Sequence, residues 1–422
     1  MATSGIAFAE DKPATKKDPL TSEVWQPPDP PMDLHWHLLA LPEYLIEIAF
    51  SPLALLVTLT ERHRLDRRLK DALRNDAGTI GVNPRVKLST GDGFGGGASL
   101  WFKNLFGDEQ RLKLGGLARI NGDFEADVLF RSSFASMEGR VVSLRLLAER
   151  DKNMPFFGLG NDTVKADRRV LQSDRVEGGV SVDLFGAGLT RVFGTVDLSF
   201  FRQELSTGDD PTVMGVAPGD TVPLPAGFGR ALNFARLDVS FGVDTRDTIG
   251  RPTKGVRAAI SGTAATDLDV ELAAMAATLT VTGYVPILPE HRVIALSAGA
   301  RASKRLPDAV DVPLELLTTL GRRDFLRGYL NGRFRDRMGW WAGAEYSYPI
   351  YEYMATGVHL HAVVFGDVGR VAADFTQLIE TPVRFSWGFG VRGVHDAVEA
   401  ISILIGFSRE GVQFGLAAGA DL

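Results

Sequence analysis

Arginine and glycine crowd one stretch of this chain: Gly321-Arg322-Arg323-Asp324-Phe325-Leu326-Arg327-Gly328-Tyr329-Leu330-Asn331-Gly332-Arg333-Phe334-Arg335-Asp336. A guanidinium offers a planar fork of donors suited to carboxylates and stays charged at any ordinary pH. The chemistry such a stretch can do is ion pairing, not bond making. Two histidine pairs, His35-x-His37 and His359-x-His361, invite a metal reading. Side chains at i and i+2 share a face on a strand, which fits only the second pair. No third ligand is evident for either, so a structural role is expected. Gly91-Asp92-Gly93-Phe94-Gly95-Gly96-Gly97 lacks the Lys-Ser/Thr and the helix of a phosphate loop and reads as a hairpin turn. Asp244-Thr245-Arg246-Asp247 is not an aspartic protease signature, and no Gly-x-Ser-x-Gly elbow occurs. No nucleophile–base constellation emerges. No catalytic residue, metal site or cofactor is expected, and an enzyme is the last-ranked reading.

The elements that must position these residues follow from composition and period. The chain has 422 residues, 45% hydrophobic and 23% charged, with a net charge of -6 and no cysteine. That is enough for one large domain or two, excludes disulfides and thiolate chemistry, and gives no support for nucleic-acid binding. Mean hydropathy is +0.02. The longest apolar run, Tyr44 to Val57, is broken by Glu47 and Pro52, so no helical membrane span is expected. Membrane β-barrels share this near-neutral hydropathy, because only alternate residues face lipid.

Ala7-Phe8-Ala9 before Glu10 has the small-x-small form of a signal-peptidase site, and residues 1–9 read as the remnant of a signal peptide. Residues 10–33 carry Pro13, Pro19, Pro27, Pro28, Pro30 and Pro31 and read as an extended linker. Residues 34–77 read as a helical segment broken at Pro42 and Pro52. Its last piece places Leu65, Leu69 and Leu73 on one stripe among Arg62, Arg64, Arg67, Arg68, Lys70 and Arg74. Such a helix either lies on an anionic leaflet or packs on a barrel mouth.

From Gly78 the period becomes two. Ile80, Val82, Pro84, Val86 and Leu88 alternate with Asn83, Arg85, Lys87 and Ser89. The same alternation runs through Val176–Leu184, Arg236–Asp244, Val383–Arg392 and Val412–Leu422. The parse gives about sixteen strands over 78–422, and a transmembrane antiparallel β-barrel is the expected fold. An Arg or Lys facing lipid at the midplane costs about 2–4 kcal/mol. Arg85, Lys87, Arg236 and Arg384 must therefore point inward. Trp340, Tyr346, Tyr348 and Trp387 fall on the outward register, where aromatic girdles form.

Several segments, taken in order, resemble the bacterial surface antigen superfamily, the BamA/TamA-type outer-membrane barrels. Phe325-Leu326-Arg327-Gly328-Tyr329 looks like the Arg-Gly-aromatic motif of a loop that folds into the lumen. Glu345-Tyr346-Ser347-Tyr348-Pro349-Ile350 and Phe365-Gly366-Asp367-Val368-Gly369 are similar to the strands that follow. Asp244-Thr245-Arg246-Asp247 with Pro252 and Gly255 looks like a characteristic turn, and Phe156-Phe157-Gly158-Leu159-Gly160-Asn161 also fits. The resemblance implies that Arg327, with Gly328 and Tyr329, turns inward, and that Glu345 and Asp367 are its partners on the lumen wall. The cluster then either braces the barrel only or also takes part in transport. In two respects the chain departs from the pattern. Residues 10–78 are too short and too proline-rich for a periplasmic POTRA module, so a POTRA-less barrel is expected. The sequence ends in Leu422 where an aromatic residue is usual.

The resemblance implies an outer-membrane barrel that assists insertion, translocation or organisation of outer-membrane proteins or lipids, with its N-terminal segment in the periplasm. A passive pore or structural outer-membrane protein is the alternative. Expected partners are outer-membrane lipid and envelope assembly factors or client barrel proteins, with no nucleic acid.

Overall fold

A computed structural model describes residues 73–90, 93–105, 107, 110–134, 140–185, 191–208, 224–248, 251–268, 271–287, 292–321, 325–353, 358–395 and 398–418. The signal-peptide, linker and most of the helical expectations lie outside the described residues. The end of the segment read as helical is described, and residues 73–79 form a turn instead. Gly78 takes φ +63°, and the Asn75 side chain accepts from the backbone N–H groups of Thr79 and Ile80. An Asn that bonds its own downstream backbone competes with helix and favours such a turn.

Sixteen strands close into one antiparallel barrel. They are β1 (Ile80–Ser89), β2 (Gly93–Lys103), β3 (Arg111–Arg119), β4 (Phe124–Phe134), β5 (Arg140–Phe156), β6 (Arg169–Asp183), β7 (Val192–Thr207), β8 (Ala231–Asp244), β9 (Gly255–Asp267), β10 (Ala273–Pro286) and β11 (Val293–Arg305), followed by β14 (Met338–Tyr353), β15 (Val358–Ala372), β16 (Arg384–His395), β17 (Val398–Ser408) and β18 (Gly411–Ala418). The two remaining strands, β12 (Thr318–Leu320) and β13 (Phe334–Asp336), pair with each other within the connection from β11 to β14. They were not expected from the sequence. Three-residue strands are too short to show a period. A short α-helix, α1 (Phe375–Glu380), joins β15 to β16 and is capped by Asp374, which accepts from the N–H of Gln377. Among the described residues no helix is long and apolar enough to cross a membrane, which says nothing against crossing by strands.

The barrel is apolar outside and polar inside. On β7, Ser199 is 0% exposed while its neighbour Phe200 is 57% exposed; on β16, Phe385 is 54% exposed and Ser386 0%. Val176, Leu237, Phe241, Ile260, Leu279 and Leu296 are also exposed on the outer register. An aqueous exterior would select the reverse pattern, and a lipid exterior selects this one. Closure leaves no sheet edge for the bilayer to desolvate. Arg85, Lys87, Arg236 and Arg384 all point inward, each to a carboxylate or carbonyl. Trp387 lies on the outer face, stacked on Phe407 at 4.6 Å. Tyr348 differs from the girdle expectation. It is buried, packed against Ala362 and beneath the Arg292 guanidinium at 4.8 Å.

Two rims follow from the strand order. β1 begins at one, the start rim, and ends at the other, the loop rim. The long connection 306–337 leaves β11 at the loop rim, which is the rim that feeds chain back into the lumen.

Candidate functional site

The connection 306–337 folds inward because its apolar residues find cover only inside. Leu314, Leu316 and Leu317 pack on the inner wall with Phe156, Leu171 and Leu205. Further on, Leu320, Leu326, Tyr329, Phe334 and Val371 form a second buried cluster. Tyr329 meets Phe334 edge-on at 5.1 Å. Leu326 is fully buried and held at φ +56°, a left-handed conformation that costs a non-glycine residue about 1–2 kcal/mol. Packing around it offsets that strain and aims the next residue at the wall.

That next residue is Arg327. Its backbone N–H and Nε both donate to Oδ2 of Asp367, at 3.0 and 2.9 Å, and Nη2 donates to Oδ1 at 2.8 Å. Nη1 donates to Oε2 of Glu345 at 2.5 Å. The guanidinium lies 3.7 Å over the Phe365 ring. Glu345 also accepts from Nη1 of Arg392 through its other oxygen, and Ser386 reaches Asp367 at 3.5 Å. Asp367 is fully buried and Arg327 nearly so. In this setting charge-assisted, bidentate bonds are strong and an unpaired partner is expensive.

Close approach makes the neighbouring glycines necessary. A Cβ at Gly328 would sit 2.3 Å from the backbone oxygen of Phe407, and one at Gly406 would sit 2.5 Å from that of Arg327. The loop tip therefore lies directly on the backbone of β17.

A second anchor escaped the sequence reading. Arg333 donates through Nε to both oxygens of Glu410 and through its terminal nitrogens to the hydroxyl and carbonyl of Thr163. Its guanidinium lies between the Phe157 and Phe334 rings, at 4.5 and 4.6 Å. Thr163 and Glu410 belong to connections on the loop rim, where no strand period points to a partner. Asn161 ties the same region together by donating to the carbonyl of Pro382, and Gly160 donates to Arg335.

Near the first strand a separate network spans three neighbours. Arg85 of β1 bonds Glu125 and Asp127 of β4 at 2.7 Å each, and Lys87 bonds Glu125 at 2.9 Å. The side chains cross β2 and β3 over Gly95, Gly97 and Gly115, whose inward positions are empty of side chains. β1 pairs with β2 along its whole length, from Ile80 to Ser89. Against β18 the described pairs run from Val86, opposite Ala418, to Ser89, opposite Gly415, and the Thr90 N–H continues the ladder by donating to the Phe414 carbonyl. Pro84 has no N–H to give to a ladder on that side.

At the start rim, Asp244-Thr245-Arg246-Asp247 forms the β8–β9 turn. Arg246 grips Asp244 through Nε at 2.8 Å and Nη2 at 2.6 Å. Partial desolvation works against ionised Asp247. Bonds from the Thr253 hydroxyl and from the N–H groups of Thr253, Lys254 and Thr248 outweigh it and hold the carboxyl at about 2, below its usual 3.8. Gly255, at φ +108°, closes the turn where a Cβ would meet the Thr245 carbonyl at 2.4 Å.

His359 and His361 share a face of β15 but bond elsewhere, to Arg251 and Ser347. No cluster of three metal-ligating side chains exists among the described residues, and His35 and His37 lie outside them. Between the loop and the β10–β11–β14 wall the lumen keeps a cavity of about 740 Å³.

Comparison with known proteins agrees with this geometry. A family model described as the Omp85 superfamily domain matches residues 177–395. Among solved structures, the chain is similar to BamA from Haemophilus ducreyi lacking POTRA domains 1-3, with 16% identity and a TM-score of 0.57 over 81% of this chain and 70% of that one. It is also similar to CdiB from Escherichia coli, with 13% identity and a TM-score of 0.50 over 80% of this chain and 62% of that one. At such identities the likeness is one of fold, and the chain spans less than two thirds of the CdiB chain. No curated protein matches by sequence.

Proposed function

Since the chain belongs to the Omp85 superfamily, we propose that it acts in the outer membrane as an insertion or translocation barrel whose wall parts between β1 and β18. The observation that carries this reading is the seam. Pro84 of β1 has no N–H to give to a ladder with β18, and the first residues of β1 bond the chain's own preceding segment, Val82 donating to Leu73 and Ile80 accepting from Asn75. The proline gives the two strands one bond fewer to break when they separate. The inward loop complements the seam. Arg327 ties the loop to β14 and β15, and Gly328 lies on β17, so the wall from β14 to β17 is braced while β1 is not held by it. In this reading the chain's beginning faces the periplasm. Its clients are outer-membrane proteins or lipids, no chemical catalysis is involved, and envelope assembly factors are its partners.

A passive pore is the second reading, and the polar lumen cavity favours it. Reconstitution separates the two. Vesicles containing the protein should speed the folding of a small unfolded outer-membrane barrel over protein-free vesicles, and planar bilayers should show no steady large channel. Steady conductance with no gain in client folding would replace the insertion reading with the pore.

A further inference from the structure

One corner of the lumen cavity gathers hydrogen-bond donors without acceptors. Arg301 on β11 faces inward, directly opposite Thr278 of β10 on one side and Gly339 of β14 on the other. Its one protein bond runs from Nε to the carbonyl of Leu316, a long 3.3 Å, and it has no ion pair among the described residues. Two residues earlier, Gly299 stands between Thr280 and Trp341. The Trp341 indole fills the space that a side chain at 299 would take, with Nε1 only 2.7 Å from the position of a Cβ there. That Nε1–H is buried and has no acceptor among the described residues. A buried N–H without a partner costs free energy, and the half-buried Arg301 faces the cavity with no counter-charge in contact among the described residues.

The nearby carboxylates do not meet this demand. Glu345 is shared by Arg327 and Arg392. Asp238 attracts Arg301 at a distance, but its oxygens are taken by Arg236 and Thr263. Glu315 lines the same cavity, and its attraction falls on buried Arg335. Arg257, Arg301, Arg327 and Arg392 thus face Glu315 and Glu345 across one cavity. Arg257 has Asp244 at 3.8 Å, which leaves Arg301 uncovered.

We infer that the corner formed by Arg301, Trp341, Thr278 and Thr280 is a binding site for a small oxyanion of the phosphate class. The fork of Arg301 bonds two oxygens of a tetrahedral anion, a small turn of the ring brings the covered Trp341 N–H to a third, and the threonine hydroxyls turn to donate to the remainder. A halide, with no separate oxygens, makes poorer use of donors spread over three adjacent strands. The site is independent of the seam, and it holds whether or not the barrel inserts clients.

The test uses the full chain in phosphate-free maltoside micelles, labelled at the tryptophan indole nitrogens. Trp341 is assigned by the resonance lost in W341F. Inorganic phosphate is titrated at constant ionic strength against chloride. The Trp341 indole resonance should move downfield and saturate, and R301Q should raise the half-saturating concentration roughly tenfold, the loss of one charged bond. T280V, whose fold is less exposed to failure, should weaken binding by a smaller factor. Short-chain phosphatidic acid is the second arm: a shift from inorganic phosphate assigns a free ion, and a shift from the lipid alone assigns a headgroup. The site is overturned if neither probe gives a saturable shift. It is equally overturned if chloride gives the same shift, or if folded R301Q and T280V titrate like the parent.

Discussion

Arg327 holds Asp367 by three hydrogen bonds, one from its backbone and two from its side chain, although forty residues separate them in sequence. Loop tip and barrel wall are thereby fixed in one register. Removing either partner strands a buried charge, which costs about 3–5 kcal/mol. Arg327→Ala and Asp367→Asn should both lower the temperature at which the barrel loses its folded migration on cold gels. Arg327→Lys should fall between, since an ammonium keeps the charge but loses the fork. Unchanged heat stability in all three variants would remove the brace from the account.

Gly328 tests the same contact sterically. Its α-hydrogen faces the Phe407 carbonyl where a methyl would stand at 2.3 Å. Gly328→Ala should lift the loop from β17 at a cost of about 1–3 kcal/mol and open the loop to added protease. Equal cleavage of parent and variant would contradict the close approach.

Arg85 makes β1 part of a leaf with β2, β3 and β4 through Glu125 and Asp127. Arg85→Ala should cost about 1–3 kcal/mol. The loss should fall locally, as faster amide hydrogen exchange in β1 with β14 and β15 unchanged. Exchange that rises evenly around the barrel would argue for a global effect.

Asp247 gives a pH dependence with a definite sign. Its carboxyl stands at about 2 in the folded turn against 3.8 free. The folded state therefore binds its proton less readily, and the turn's extra stability is present above about pH 4 and lost as pH falls through about 2. Amide protection of residues 245–254 should decline across that window in the parent. In Asp247→Asn it should already be low above pH 4 and stay flat. A decline of the same size in the variant would assign the effect to another group.

Much of this architecture could be read from the chain because a membrane barrel writes itself in period two. Arg85, Lys87, Arg236 and Arg384 had one permissible direction once the outside was lipid, and each takes it. Phe385 and Ser386 show the same rule at full contrast. Glu345 and Asp367 were readable as inward positions on their strands, and the structure brings both to Arg327. What escaped lacks a period. The Arg333–Glu410–Thr163 anchor joins three loop-rim connections that are far apart in sequence. The β12–β13 pair is too short to alternate. Tyr348 lay on the predicted face, but it is covered by Ala362 of β15 and by Arg292, which stands just before β11. Trp341 and Arg301 become a pair of unsatisfied donors only when β11 and β14 are placed side by side, which the long insertion between them hides.

The central claim is that the wall opens between β1 and β18. Leu88 and Leu416 stand directly opposite across that seam, and the chain has no native cysteine. Leu88→Cys with Leu416→Cys can therefore be oxidised to a single staple. The account predicts that the oxidised pair loses its acceleration of client folding in vesicles and regains it on reduction, while each single variant works throughout. A stapled barrel that accelerates folding as well as its reduced form would contradict it.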